Sequence, residues 1–429
     1  MKYPSIDKKL FIENRKKFIK QLKPNSLAVF NANDIMPTNA DGILPFRQNN
    51  DLFYLSGIEQ EESILLIFPD AKDKEHHELL FLKETSEKIA IWEGQKYSKK
   101  EAAKISGIEN VLWLSEFHNT FVALMSECER VYLNTNEHVR AVVIVETRDA
   151  RFISWCKEKY PLHQYERSAP VMHRVRAIKS KKEIELIKQA CSITEKAFLR
   201  ILKFVVPGVY EYEIEAELYH EFLRNRSRGP AYQPIIASGA NACALHYVAN
   251  DQQCKDGEVI LMDIGAEFAG YCSDLTRCVP VNGKYSKRQK QVYNAVLKLM
   301  KEAKKMLIVG NNLEDYHKEV GKIMEKELIG LGLLDAKEVK KQDKKKPLYK
   351  KYFMHGTSHL LGLDVHDVGS KYRPFEEGMV FTCEPGIYIK DEKLGIRLEN
   401  DFLITKNGPV DLMEHIPVEA EEIEELMKG

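Results

Sequence analysis

Residues 259–281 read VILMDIGAEFAGYCSDLTRCVPV, and residues 379–405 read MVFTCEPGIYIKDEKLGIRLENDFLIT. Each stretch is an apolar run, a turn and a returning run, which is the pattern of a strand–turn–strand unit. In the first, Asp263 interrupts the apolar run and Asp274 opens the returning strand; in the second, Glu384 and Glu399 occupy the corresponding places. Each hairpin therefore sets one carboxylate on each of two neighbouring strands. A single carboxylate beside such apolar sequence reads first as a salt-bridge partner. Four in matched places would repel one another and be driven to protonate unless cations neutralise them.

Two divalent ions balance four carboxylates, and a neutral imidazole completes a ligand set of this kind. Carboxylate-rich donors with one imidazole suit Mn(II), with Co(II) and Zn(II) as competitors. Two such ions ~3.5–4 Å apart hold a hydroxide between them at neutral pH. The imidazole has an obvious source in Met354–Gly369, MHGTSHLLGLDVHDVG, which carries His355, His359 and His366 together with Asp364 and Asp367. The His355-to-His359 spacing alone would suggest a zinc protease helix, but that motif needs Glu after the first His and here the residue is Gly356.

Composition narrows the class. Lys plus Arg and Asp plus Glu both number 64 in 429 residues, so no net charge draws the chain to nucleic acid or an acidic membrane. The length predicts two or three domains. No apolar run reaches the ~20 residues of a spanning helix, and the lysines and arginines between Ser5 and Leu22 do not form a signal peptide. Eight cysteines without Cys-x-x-Cys spacing read as reduced thiols, which predicts a cytoplasmic protein.

In chain order, Ser5 to Leu22 shows helical spacing. SLAVFNAND, ESILLIFPD, HHELLFLKE and ERVYLN then read as strands among polar helical segments, an α/β layer of modest size. His76–His77 reads as a solvated turn. Residues 168–180, SAPVMHRVRAIKS, read as a basic linker, with a domain boundary at about residue 172. Capping boxes at Ser180/Glu183 and Ser286/Gln289 open two helices, and a further helix is predicted from about Leu313 to Ile329. Residues 337–351, KEVKKQDKKKPLYKK, read as a solvated lysine-rich loop, and the acidic tail as a short closing helix.

DIGAEFAGYCSDLTR, MHGTSHLLGLDVHDVG, CEPGIYI and IRLEND, in this order and spacing, resemble the pita-bread metallopeptidases, specifically the aminopeptidase P (Xaa-Pro aminopeptidase) family. PFRQNNDLFYLSG (residues 45–57) is similar to that family's creatinase-like N-terminal domain. The resemblance implies an α/β (α+β) chain, with a creatinase-like α/β domain over 1–171 and a pita-bread catalytic domain with a pseudo-symmetric antiparallel sheet over 172–429. It implies metal ligands Asp263, Asp274, His359, Glu384 and Glu399, with Asp274 and Glu399 shared by two ions. It also implies that Glu384 moves protons, that His246 and His366 contact the substrate and its tetrahedral intermediate, and that His355, Arg397, Tyr232 and Tyr388 line the substrate pocket. The implied activity is hydrolysis of the bond between an N-terminal residue and a following proline, by a hydroxide bridging two metal ions. A prolidase restricted to Xaa-Pro dipeptides and a non-catalytic binding module on the same fold are the alternatives. Peptides with proline second are the implied partners, and a homodimer or homotetramer the implied assembly. Trp92 matches a region that approaches a neighbouring subunit's site in some relatives, although plain packing explains it as well. Asn400 stands where the family commonly has Asp after the glutamate.

Overall fold

The computed structural model describes residues 3–428 and divides into two compact units: residues 4–176, and residues 177–428 together with Tyr3.

In the first unit, six strands form one mixed sheet: β1 Ser26–Asn31, β2 Ile64–Ile67, β3 Glu78–Leu82, β4 Asn110–Trp113, β5 Arg130–Leu133 and β6 Gln164–Arg167, in the order β4-β3-β2-β1-β5-β6. The four predicted strands are β1, β2, β3 and β5. Every residue of β1 is buried, which is the mark of a central strand covered on both faces. Leu27, Val29, Leu66, Phe81, Val131 and Leu133 pack with Phe121 and Leu124 from one side. The PFRQNNDLFYLSG stretch folds into the helix Asn50–Ser56. The Asn49 side chain accepts from the amides of Asp51 and Leu52, and Gly57 closes the helix at φ 69°. A Cβ at Gly57 would lie 2.3 Å from the Phe11 ring, so this C-cap admits no side chain.

The basic segment 168–180 is not a linker throughout: Ala169–Ala177 is helical. Ala169, Met172 and Val175 recur at three-residue spacing and are buried, and Arg176 is buried against Asp51 at 2.8 Å. The density of basic residues hides that apolar stripe in the sequence. His76 lies in a single 3-10 turn, Lys74–His76, and His77 Nε2 reaches the Ala71 carbonyl at 3.1 Å.

Asp149, buried in the first turn of the helix Arg148–Lys159, accepts a 2.9 Å hydrogen bond from Asn31 Nδ2. Burial first, and then the charge of Asp51, push its carboxyl up to about 7. A folded-state value above the unfolded one (~3.9) means that the native state holds the proton more tightly. The associated stability is fully present below the unfolded value and is lost as pH rises towards 7. Asp149→Asn removes this dependence. The unfolding free energy of the wild type relative to the variant is expected to fall by about 2–3 kcal/mol between pH 5 and pH 8, as measured by denaturant titration. A pH-independent difference between the two proteins would show that Asp149 is ionised throughout.

The second unit begins with the 24-residue helix Lys181–Phe204, opened by the Ser180/Glu183 capping box, and continues with Glu211–Arg224. Two three-stranded antiparallel sheets follow. The first joins β7 Ile235–Ser238, β8 Val259–Ile264 and β11 Leu275–Pro280 in the order β11-β8-β7, with the short pair β9 Glu267–Phe268 and β10 Tyr271–Cys272 at the hairpin end. The second joins β12 Val380–Cys383, β15 Asn400–Thr405 and β16 Gly408–Asp411 in the order β12-β15-β16. The hairpin β13 Gly386–Ile389 and β14 Leu394–Arg397 lies between β12 and β15 in the chain. A bridge between Thr276 and Glu399 connects the first sheet to the link between β14 and β15.

Helices Lys287–Ala303 and Leu313–Gly330 form as expected, the former behind its Ser286/Gln289 capping box. The lysine-rich stretch is more ordered than predicted. Asp335 caps the short helix Ala336–Lys341 by accepting from the amides of Lys337 and Glu338, and a 3-10 turn over Leu348–Lys351 buries Tyr349. The tail closes with Ala420–Leu426. No described helix is long and apolar enough to cross a membrane.

Candidate metal centre

The first sheet places Asp263 on its central strand. Asp263 pairs with Thr276 of β11 and Ile235 of β7. Gly265, two residues on, meets the returning chain so closely that a Cβ there would lie 1.9 Å from the Ser273 carbonyl oxygen. The DIG turn therefore brings Asp274 back two residues before Thr276, the strand partner of Asp263, close enough for one hydroxyl, that of Tyr232, to reach both carboxylates. The Asp274 amide donates to Asp401 Oδ2 at 3.0 Å, which ties the start of β11 to β15 of the other sheet. Glu399 is held in the same way from across the sheets: its amide donates to the Thr276 carbonyl at 3.1 Å, and Thr276 Oγ1 donates to Glu399 Oε2 at 2.6 Å.

Residues 357–361 run along β12. The Glu384 amide donates to Thr357 O at 2.8 Å and the Thr382 amide to His359 O at 3.0 Å. His359 Nδ1 lies 3.1 Å from the Leu360 carbonyl, which only an N–H can satisfy, and this contact turns Nε2 towards Asp274 Oδ2 at 3.5 Å and Glu384 Oε1 at 3.7 Å.

Four observations test whether this cluster fits divalent cations. Ligand atoms of Asp274, His359 and Glu399 lie within 4.8 Å of one another. Glu399 Oε1 is buried without a hydrogen-bond partner. The Tyr232 hydroxyl lies against Asp263 Oδ1 (2.6 Å) and against Asp274 Oδ1, and its single proton serves only one of them. Burial first, and then neighbouring carboxylates, push both Asp274 and Glu399 well above the usual carboxylate range. An imidazole nitrogen turned towards carboxylate oxygens that repel one another is a donor set for cations.

Beside it runs a second chain of contacts. Arg397 Nη2 reaches Asp263 Oδ2 at 2.5 Å, its Nε donates to Thr276 Oγ1 at 3.1 Å, and its Nη1 donates to the Tyr388 hydroxyl at 2.8 Å. Tyr388 in turn meets His355 Nε2 at 2.8 Å, while His355 Nδ1 lies 2.8 Å from the Gly356 carbonyl. Burial, and then Arg397, push the His355 imidazole down to about 3. It is therefore a neutral acceptor of the Tyr388 proton, and its 3.5 Å approach to Glu384 is not an ion pair. The His366 ring centroid lies 4.0 Å from that of His359, with the two planes tilted by 49°. His246 is exposed on the loop after the 3-10 turn Gly239–Cys243. Trp92, in the first unit, is exposed at the end of the helix Glu87–Glu93.

Three supporting residues escape the sequence reading. Arg277 is fully buried, and its guanidinium donates to Pro417 O, Thr276 O, Glu399 O, Asn400 Oδ1 and Ile416 O at 2.7–3.4 Å. Thr276 orients Glu399, and Asp401 anchors Asp274. The one local signal is that Thr276 and Arg277 interrupt β11, a strand buried along its whole length, and that Asp401 lies in the buried first half of β15; it marks them as internal polar groups without giving their partners.

Residues 185–406 match the model of metallopeptidase family M24, and residues 11–132 match that of the aminopeptidase P N-terminal domain. The chain belongs to metallopeptidase family M24. It is 34% identical over 450 residues to the Xaa-Pro aminopeptidase of Escherichia coli K12, covering 98% of each chain. It is 31% identical over 398 residues to human Xaa-Pro aminopeptidase 3, covering 89% of this chain and 76% of the human one. Among solved structures, it matches Zn-substituted Escherichia coli aminopeptidase P in complex with product at TM-score 0.87 and 34% identity over 99% of both chains. It matches Pseudomonas aeruginosa aminopeptidase PepP at TM-score 0.90 and 30% identity, over 99% of this chain and 98% of that one.

Proposed function

We propose that this enzyme removes the N-terminal residue from peptides whose second residue is proline. Asp263, Asp274, His359, Glu384 and Glu399 would hold two divalent ions, Mn(II) being favoured by the four carboxylates. The observation that carries the reading is the Asp274–His359–Glu399 cluster with its buried, unpartnered carboxylate oxygen, in a chain 34% identical over 98% of its length to an Xaa-Pro aminopeptidase.

When bound, such ions supply a hydroxide nucleophile at neutral pH and positive charge for the carbonyl oxygen. The chain's own residues do the rest. An Xaa-Pro bond is a tertiary amide with no N–H, so it is selected by shape instead of by a backbone hydrogen bond. His355 is held neutral and fixed by Tyr388 and Gly356, and it lines the space for the proline ring together with Arg397. Tyr232 orients Asp263 and Asp274 through its hydroxyl. His366, against the His359 ring, donates to the carbonyl oxygen as the centre becomes tetrahedral. Glu384 takes the proton from the nucleophile and returns it to the departing proline nitrogen. His246 contacts the substrate from its exposed loop.

The enzyme works in the cytoplasm as a homodimer or homotetramer, without nucleic-acid or membrane partners. The test is mass spectrometry of products from Xaa-Pro, Xaa-Pro-Yaa and Xaa-Ala-Yaa peptides with added Mn(II). Cleavage of Xaa-Pro-Yaa at the Xaa-Pro bond, with Xaa-Ala-Yaa left intact, is the expected result. Cleavage of the dipeptide alone would make it a prolidase, and no cleavage with metals bound would sink the assignment.

A further inference from the structure

The loop that carries His246 has no strand or helix between Ala244 and Asn250, yet both of its ends converge on one side chain. Glu211, the first residue of the helix Glu211–Arg224, is fully buried. Its Oε1 accepts from the Ser238 amide (2.8 Å), Ser238 Oγ (2.7 Å) and Asn241 Nδ2 (3.2 Å). Its Oε2 accepts from the Tyr247 hydroxyl (2.7 Å) and the Gln252 amide (3.0 Å). The Glu211 amide closes the circle by donating to Gln252 O at 3.0 Å.

All five donors are neutral, and all lie between residues 238 and 252. One of them, Tyr247, is the direct neighbour of His246. One turn along the same helix, Glu215 Oε2 accepts from Asn250 Nδ2 at 2.9 Å, while Asn250 itself sits at φ 48° and receives the Ile236 amide on Oδ1. Ser238 ends β7, whose partner β8 bears Asp263. The carboxylate therefore sets the loop relative to the strand that supplies the metal centre.

We infer that Glu211 is a positioning residue for His246: it clasps residues 238–252 so that the histidine meets the substrate at a fixed distance from the carboxylate cluster. The inference rests on the substrate contact proposed for His246. A carboxylate suits the place because five donors converge on its two oxygens. In Glu211→Gln the amide NH2 would face donors on one side, so the isosteric change breaks the clasp without altering volume. Tyr247→Phe is the milder variant, since it removes one hydrogen bond and keeps the ring.

The experiment is a pair of double-mutant cycles on the metal-loaded full chain, with kcat/KM for an Xaa-Pro-Yaa peptide as readout. It is combined with hydrogen–deuterium exchange of each variant. Glu211→Gln is expected to lower kcat/KM about tenfold and Tyr247→Phe about threefold, through misplacement of a contact group. In the His246→Ala background each should change it by less than about twofold. Exchange should quicken in residues 239–252 and remain as in the wild type over β8 and β11. Equal losses with and without His246, or no loss while His246→Ala itself is impaired, would overturn the inference alone. If His246→Ala turns over peptide like the wild type, the proposed substrate contact is wrong and the inference falls with it. If the wild type does not cleave Xaa-Pro-Yaa, the proposed activity has failed first.

Discussion

Asp274→Asn is expected to lower kcat/KM by about a thousandfold, equivalent to roughly 4 kcal/mol of transition-state stabilisation, and to reduce the bound metal measured by plasma mass spectrometry. The same substitution should act in opposite directions on stability. In metal-free protein Asp274 is buried beside Asp263, with Asp401 and Glu384 adding to the repulsion, and the neutral amide relieves it. The variant should therefore unfold later than the wild type in chelator and earlier with Mn(II) present, because only the wild type gains the full free energy of metal binding. The pH dependence follows. Asp274 and Glu399 have folded-state values raised well above the unfolded ones. The stability linked to them in metal-free protein is present at acid pH and is lost as pH rises through the folded values. A variant that binds its full metal complement and turns over normally would remove Asp274 from the ligand set.

Arg277→Ala should destabilise the chain by about 3–5 kcal/mol in denaturant titration, because it strands buried acceptors on five residues at once. Burial lowers the guanidinium's own proton affinity, and no carboxylate among the described residues forms an ion pair with it, so the carbonyls of Thr276, Glu399, Ile416 and Pro417 and the Asn400 side chain keep it in place. Arg277→Lys should recover only part of the loss, since an ammonium lacks the planar fork that reaches both the strand link at Glu399 and the loop at 416–417. An alanine variant as stable as the wild type would mean that water replaces the guanidinium without cost. Asn400 belongs to the same network. Its Oδ1 accepts from Arg277, and its Nδ2 donates to both oxygens of Asp411 at 2.9 Å. An aspartate here would face Asp411 with like charge, so the amide is matched to its neighbours.

The cluster was legible because its two hairpins repeat a carboxylate at matched places in apolar strands, where uncompensated like charges are costly. The helix ends at Ser180 and Ser286 were equally plain, because a capping box is a local signal read within four residues. The helix Ala169–Ala177 was not legible, since three small or medium apolar residues carry its stripe while Arg174 and Arg176 dominate the composition. The roles of Arg277, Thr276 and Glu211 were also hidden. Each depends on hydrogen bonds to residues far along the chain, such as Pro417 and Ile416 for Arg277 and Tyr247 and Gln252 for Glu211, and nothing in the local pattern marks a donor's distant acceptor. Tyr232 was read as a substrate contact. Its hydroxyl also lies between two carboxylates, a placement set by the chain's return past Gly265 and invisible in spacing alone.

All eight cysteines are free thiols, and seven of them are buried. Burial pushes the thiols of Cys128, Cys254, Cys278 and Cys383 up to about 12, so in the folded enzyme they carry almost no thiolate and resist oxidants and alkylating agents. Unfolding reverses this at once, because each thiol returns to an ordinary acidity (~8.5) in a chain with many possible partners. Heating in air should thus be a one-way process. The first excursion into the unfolded state lets mispaired disulfides form, and the loss of activity records how often the chain opens instead of how stable it is. A reductant should restore reversibility without changing the folded enzyme.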